Sequence, residues 1–193
     1  MGVVTVTSVG TNSLDRVNKI LGGSMKTDVF KAAHWALLRA GDTASAQAGR
    51  FASAKYTISK GTFDAKTKTK TKIEGGYSAG GVTSLSVSFN GRVIPLLTFQ
   101  SRYSRGGLMH VRVKRDSGGG TLQHVFTARL GGGLAAYERL GRERFPVEGK
   151  YGPSTAHMMQ NEDVIKEMDK TISETYDKRI EHEITRILSG WGG

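Results

Sequence analysis

The chain has 193 residues, 37% hydrophobic and 23% charged, which are the proportions of a globular chain able to bury a core rather than of a disordered tail. Twenty-eight Lys and Arg against 17 Asp and Glu leave a formal charge of +11. That charge points to an anionic partner, or to an assembly that tolerates a basic surface, and small acidic substrates alone account for it poorly. No cysteine is present, so disulfides, thiolate metal sites and cysteine nucleophiles are excluded.

Met1–Gly10 has no basic or apolar leader pattern, and no later run approaches the ~18 apolar residues of a membrane span, so neither export nor membrane insertion is expected. Glycine is abundant, with 26 residues against only three prolines, so tight turns and loops should be frequent. A single domain is expected over 1–193. The charge is uneven: Glu162 to Arg186 holds eight acids and five bases, net −3, which leaves +14 on the first 161 residues. Two surfaces with different partners would produce that asymmetry, as would one acidic surface helix.

Val3 to Val9 alternates Val with Thr or Ser and reads as a short strand or, over 1–11, as a terminal arm ordered on contact. Asn12-Ser13-Leu14-Asp15 before Val17, Ile20 and Leu21, closed by Gly22-Gly23, predicts a short capped helix. Thr27-Asp28 opens a second pattern, with Phe30, Ala33, Leu37, Leu38, Gly41, Ala44, Ala48 and Phe51 on one stripe. These spacings predict a helix of about 25 residues whose small central residues admit a close neighbour. Over 60–76 the chain is basic and simple, and Lys66, Lys68, Lys70 and Lys72 would share one face of an extended strand. Such a row suits phosphate contacts, a protected edge strand or a solvated loop.

Leu85, Val87 and Phe89 alternate with serines before Asn90-Gly91, which predicts a hairpin whose return strand is Val93 to Phe99, edge-bound by Pro95. Met109 to Lys114 predicts a third strand with a basic face of His110, Arg112 and Lys114. Gly118–Gly120 forms a turn, Leu122 to Arg129 a fourth strand, and Leu134–Arg139 with Phe145–Val147 a last hairpin near the sheet edge, where Pro146 cannot donate. The final pattern is the clearest: Ile165, Met168, Ile172, Tyr176, Ile180, Ile184, Ile187 and Trp191 recur every three or four residues. They predict a helix from about Glu162 to Leu188, with acids in its first turn and Arg186 near its end, as the helix dipole favours. At roughly 40 Å it exceeds what a small sheet needs for cover, so part of the stripe is expected to meet another chain. Together these elements predict an α+β chain, an antiparallel sheet of about five or six strands packed with two long helices, the last one C-terminal.

The chemistry search is sparse. His34, His110, His124, His157 and His182 are scattered without ligand spacing, neither glycine triplet completes a phosphate loop, and no nucleophile elbow or marked carboxylate pair occurs. No catalytic, metal or cofactor site is therefore expected, and the chain is not expected to be an enzyme. Charge favours nucleic acid, but aromatics are few and sequence-specific reading has little support.

One resemblance is specific. Tyr137-Glu138-Arg139-Leu140-Gly141-Arg142-Glu143-Arg144-Phe145-Pro146-Val147, followed by Tyr151-Gly152-Pro153-Ser154, resembles the C-terminal signature of the phage minor tail protein Z family. In that family an aromatic residue, Arg, Gly, basic residues and Pro-Ile lead through a Gly-Pro-Ser turn into a terminal helix. Val147 stands where Ile is commoner. Gly91 to Phe99 is similar to the family's central strand, and Ala32 to Ala48 falls where the family has its N-terminal helix; the specific part covers roughly Arg92 to Met159.

The resemblance implies a structural virion protein of long-tailed phages or prophages, a tail completion or head–tail connector component at the head-proximal end of the tail. Assembly in the host cytoplasm and no membrane contact go with it. Implied partners are further copies in a ring, expected to be hexameric, the tail tube or tail terminator protein, head–tail connector proteins, and DNA passing through the channel. On this reading Arg139, Arg142, Arg144, Pro146, Tyr151, Gly152 and Pro153 form or position an interface, joined by Tyr176, Ile180, Ile184 and Trp191 of the terminal helix. Lys66, Lys68, Lys70, Lys72, Arg112 and Lys114 are the candidate contacts to DNA or another anion. The plainer account of the arginines is surface pairing with Glu138, Glu143 and Glu148. The rival function is sequence-nonspecific nucleic-acid binding.

Overall fold

A computed structural model describes residues 2–8, 26–74, 84–104, 108–130 and 133–189. The short helix predicted around Leu14 to Leu21, and Trp191, lie outside the described residues. The fold is α+β with two long helices. Its helices are α1 (Lys26–Lys55), α2 (Lys60–Lys66), α3 (Thr155–Met159) and α4 (Glu162–Leu188). The strands are β1 (Gly2–Ser8), β2 (Thr67–Glu74), β3 (Ser84–Gly91), β4 (Val93–Pro95), β5 (Gln100–Ser104), β6 (Leu108–Arg112), β7 (Gly120–Leu122), β8 (Val125–Arg129), β9 (Leu134–Arg139) and β10 (Val147–Ser154). They lie in three sheets, ordered β1-β3-β2, β4-β10-β9-β8 and β5-β6-β7, rather than in one sheet of five or six strands. The chain forms two compact units, one of Gly49–Lys68 and Asn90–Val164, the other of Val3–Ala48, Thr69–Phe89 and Ile165–Gly193.

In the second unit β1 is a strand of the sheet, so the first residues are not a free arm. Helix α1 runs 30 residues, longer than the predicted 25. Ala32, Ala33, Ala36, Leu37, Ala40, Ala44 and Ala48 are buried on it. Alanines four apart fall on one helical face, and their small side chains let the sheet come close. A Cβ on Gly41 would lie 2.8 Å from Leu85 Cδ1 and 2.8 Å from Thr71 Cγ2, and Ser45 Oγ meets Thr71 Oγ1 at 3.3 Å. Leu85, Val87 and Phe89 of β3 are fully buried, as their alternation predicts.

Helix α4 has the predicted bounds, and Met168, Ile172, Tyr176 and Ile180 are buried along it at spacings of four. Each such apolar side chain contributes about 1.5–3 kcal/mol on burial. This corrects one expectation: Tyr176 and Ile180 are 4% and 3% exposed, so they belong to the chain's own core and are not available to a neighbour. Ile184 is half-buried.

In the first unit several predicted boundaries shift. Lys60–Lys66 is helix, started by Ser59, whose hydroxyl accepts from the Thr62 N–H, and anchored by buried Phe63. Lys66 therefore ends a helix, and only Lys68, Lys70 and Lys72 share the strand face. Asn90-Gly91 is no hairpin turn, because both residues lie in β3, and the segment after it pairs with β10 instead. Gly91 is required by packing: a Cβ there would lie 1.9 Å from Thr155 Oγ1 and 2.9 Å from the Lys66 carbonyl oxygen. The predicted return strand stops at Pro95, on the sheet edge as expected, and continues as a 3₁₀ turn over Leu96–Thr98.

The strand expected over Leu122–Arg129 splits at His124, whose φ of 57° breaks the extended run, so β7 and β8 join different sheets. β5 carries no clean alternation and was not predicted. After α1, Tyr56 bridges to Lys114, the Thr57 N–H donates to Val113 O at 2.9 Å and Arg115 N–H to Lys55 O at 2.8 Å. The Thr57 hydroxyl adds a bond to Arg112 O and accepts from Gln100 N–H, which pins the ends of β5 and β6 to the helix exit. Lys114 is thus past the end of β6, in a single bridge with Tyr56.

Candidate subunit interface

The segment that carries the family resemblance builds the centre of a sheet. β9 pairs with β8 on one side and with β10 on the other, from Arg139 opposite Val147 to Ala136 opposite Lys150. The hairpin therefore does not lie at the edge; Pro146 precedes β10 and leaves its ladder intact. Ala135, Ala136 and Tyr137 are buried. The Tyr137 hydroxyl donates to the Leu130 carbonyl at 3.0 Å, and its ring lies 6.2 Å from that of Phe126, its cross-strand partner. Gly152-Pro153-Ser154 is the end of β10 rather than a free turn. Ser154 then caps α3, its hydroxyl accepting from the His157 N–H at 3.1 Å. A Cβ on Gly152 would come within 2.6 Å of the Phe99 ring, so Gly152 serves packing in this chain.

Glu138 and Glu148 stand directly opposite each other, an unfavourable like-charge pair. Lys150 resolves it, at 2.7 Å from Glu138 and 2.6 Å from Glu148, and hydrogen bonds to the two carboxylates hold its ammonium above the usual lysine range. These two acids are thereby taken by Lys150 rather than by the arginines. Arg139 instead stacks over Phe126, 5.3 Å from its centroid, and Arg144 over Phe145 at 5.8 Å, contacts worth about 0.5–1 kcal/mol when exposed.

The paired strands present an apolar tip. Between Arg139 and Val147 the loop is closed by the Leu140 N–H donating to the Pro146 carbonyl at 3.2 Å. Leu140 is 65% and Phe145 58% exposed, with Arg142, Arg144 and Pro146 exposed beside them. A cluster of large apolar side chains left in water beside arginines has the composition of a binding surface. At the opposite end of β9 a groove of about 760 Å³ is lined by Lys66, Lys68, Arg92, Val93, Leu134 and Tyr151 among others. Val93, Leu134 and Tyr151 are each more than half exposed there.

Thus Arg139, Arg142, Arg144, Pro146 and Tyr151 are on the surface, Gly152 and Pro153 are half-buried, and Tyr176 and Ile180 are interior. Lys68, Lys70 and Lys72 point outward from β2, an edge strand, with Lys72 paired to Glu74 at 2.7 Å. Lys72 holds the Glu74 carboxyl below its ordinary range, by hydrogen bond first and charge second. Trp35, 54% exposed on α1, and the groove residues Val93 and Leu134 were not singled out in the sequence; an aromatic residue off the alanine stripe was the available signal for Trp35.

Among the described residues no three His, Asp or Glu side chains converge to hold a metal ion, and no helix is long and apolar enough to cross a membrane. Comparison with protein-family models, curated proteins and solved structures finds no match to this chain.

Proposed function

We propose that this chain is a structural subunit of a phage tail, a tail completion or head–tail connector component that works as a ring member by surface fit, without turnover. The observation that carries the reading is the β9–β10 hairpin. The segment that resembles the minor tail protein Z family is the one that exposes Leu140 and Phe145, with Arg142 and Arg144 between them, at the tip of a hairpin paired on both sides. In a ring each subunit offers one patch to a different patch on its neighbour, so a projecting tip is a suitable element for heterologous closure. Mass measurement with negative-stain imaging, with and without tail-tube subunits, tests this: closed rings at tube ends support it, and a chain that stays monomeric in both conditions contradicts it.

The outward lysines of β2 favour a second reading, sequence-nonspecific binding to nucleic acid. Duplex binding that falls steeply with salt, by a monomer indifferent to tail subunits, selects that reading.

A further inference from the structure

The outer face of the β5-β6-β7 sheet gathers cationic side chains from separate stretches of sequence. Arg102 of β5 stands directly opposite His110 of β6, and Arg112 follows two residues along the same strand, opposite Gln100. Met109 and Val111 point into the core, so His110 and Arg112 share the outer face with Gln100 and Arg102. These four residues, with Ser101 and Gly118, line a cavity of about 470 Å³. His110 is held in place by a 3.2 Å contact between its Nδ1 and Thr121 Oγ1, and by Gly119, whose φ of +83° brings the turn against the ring. The Thr57 clamp fixes the backbone of Arg112.

Two features of this cavity are costly for a fold that uses it for nothing. Arg102 and Arg112 are two like charges placed diagonally on one face of the β5–β6 ladder, within reach of each other for side chains of that length, and among the described residues no carboxylate pairs with either. The Arg112 guanidinium donates through Nη2 to the Arg115 carbonyl, but its Nε is buried without a partner, and a buried donor left unpaired costs free energy that a bound acceptor recovers. One multivalent oxyanion answers both. A tetrahedral phosphate offers acceptors to two guanidiniums that approach from different strands, whereas a single carboxylate is matched to one arginine fork.

We propose that this cavity is a phosphate-binding site in which Arg102 and Arg112 are the ligands and His110 lines the wall. The site does not depend on the tail reading. Its source of phosphate is either the free ion or the backbone of a nucleic acid, which the +11 chain would concentrate at its surface.

The test is an NMR titration of the isotope-labelled full chain with inorganic phosphate at constant ionic strength. The expected result is a saturable shift of the Arg112 Nε–H and His110 resonances, with affinity reduced at least about tenfold in Arg102→Gln and in Arg112→Gln and unchanged in Arg129→Gln. Arg102 is exposed, so its variant should keep the wild-type melting temperature and remains informative even if Arg112→Gln unfolds. No saturable shift, or equal affinity in Arg102→Gln, overturns the proposal, as does Arg102-dependent binding of a polyglutamate peptide without binding of phosphate. A parallel titration with a short DNA duplex identifies the source. A fall of about 0.9 in the salt slope in Arg102→Gln assigns the site to backbone phosphate, and an unchanged slope with loss of inorganic phosphate binding assigns it to the free ion.

Discussion

Helix α4 and the β9–β10 hairpin both carry large apolar side chains beside charged ones, and they dispose of them in opposite ways. On α4 the apolar residues recur every fourth position, so they share one face, and Met168 and Ile172 are 0% and 1% exposed. On the hairpin Leu140 and Phe145 lie in the loop beyond the last ladder pair, where no period directs them inward, and more than half of each is in water. The helix was expected to have apolar surface to spare for a neighbour, and its stripe is buried as far as Ile180, with Ile184 half-buried; the hairpin tip is more exposed than either. Periodicity tells where a chain can bury its own residues, and Leu140 and Phe145, outside any period, stay in water.

Four variants sharpen this contrast. Ile172→Ala on α4 should cost the most, about 2–5 kcal/mol in denaturant unfolding, because it leaves a cavity in a closed core. A loss under 1 kcal/mol would place that face outside the core. Gly41→Val should cost about 1–3 kcal/mol, since the added atoms meet Leu85 and Thr71, and calorimetry should show a lowered melting temperature.

Tyr176→Phe removes a buried hydroxyl that has no hydrogen-bond partner, so it should leave stability near neutral pH unchanged or slightly raised. Burial, and then the Asp177 carboxylate, push the Tyr176 phenol up to about 12. The unfolded phenol ionises near 10, and the folded state holds its proton longer. The contribution is therefore complete below about pH 10 and is lost as pH rises toward 12. Unfolding curves across that window should steepen their decline in the wild type and not in Tyr176→Phe. The smallest effect on stability belongs to the hairpin: Leu140→Ser with Phe145→Ser should move unfolding by no more than about 0.5 kcal/mol.

Much of the α+β class was legible because two long periods and several alternations survive in the sequence. α4 was read to its ends, and Leu85, Val87 and Phe89 were read as the alternating positions of a strand. The sheet arrangement was not, for local reasons. Asn90-Gly91 has the composition of a turn, yet Gly91 is needed where Thr155 and the Lys66 carbonyl crowd the strand, a constraint set by residues far along the chain. His124 interrupts an apparently continuous strand by adopting a left-handed conformation, which nothing in its neighbours announces. Lys60–Lys66 looks like a simple basic loop, but one buried residue, Phe63, and one cap, Ser59, suffice to make it helical. Of the candidate site, the hairpin arginines were identified on the surface. The cation-lined cavity was half visible: His110 and Arg112 alternate on one strand, whereas Arg102 reaches them only through a pairing that the irregular sequence of β5 conceals.

The central proposal is that the hairpin tip is a surface through which this chain meets another subunit. It is tested most directly by comparing the assembled mass of the wild type and of Leu140→Ser/Phe145→Ser in the presence of tail-tube subunits, by sedimentation velocity. The account predicts a discrete assembly for the wild type and a folded monomer with an unchanged melting temperature for the variant. Assemblies of equal mass and equal affinity from both would contradict it.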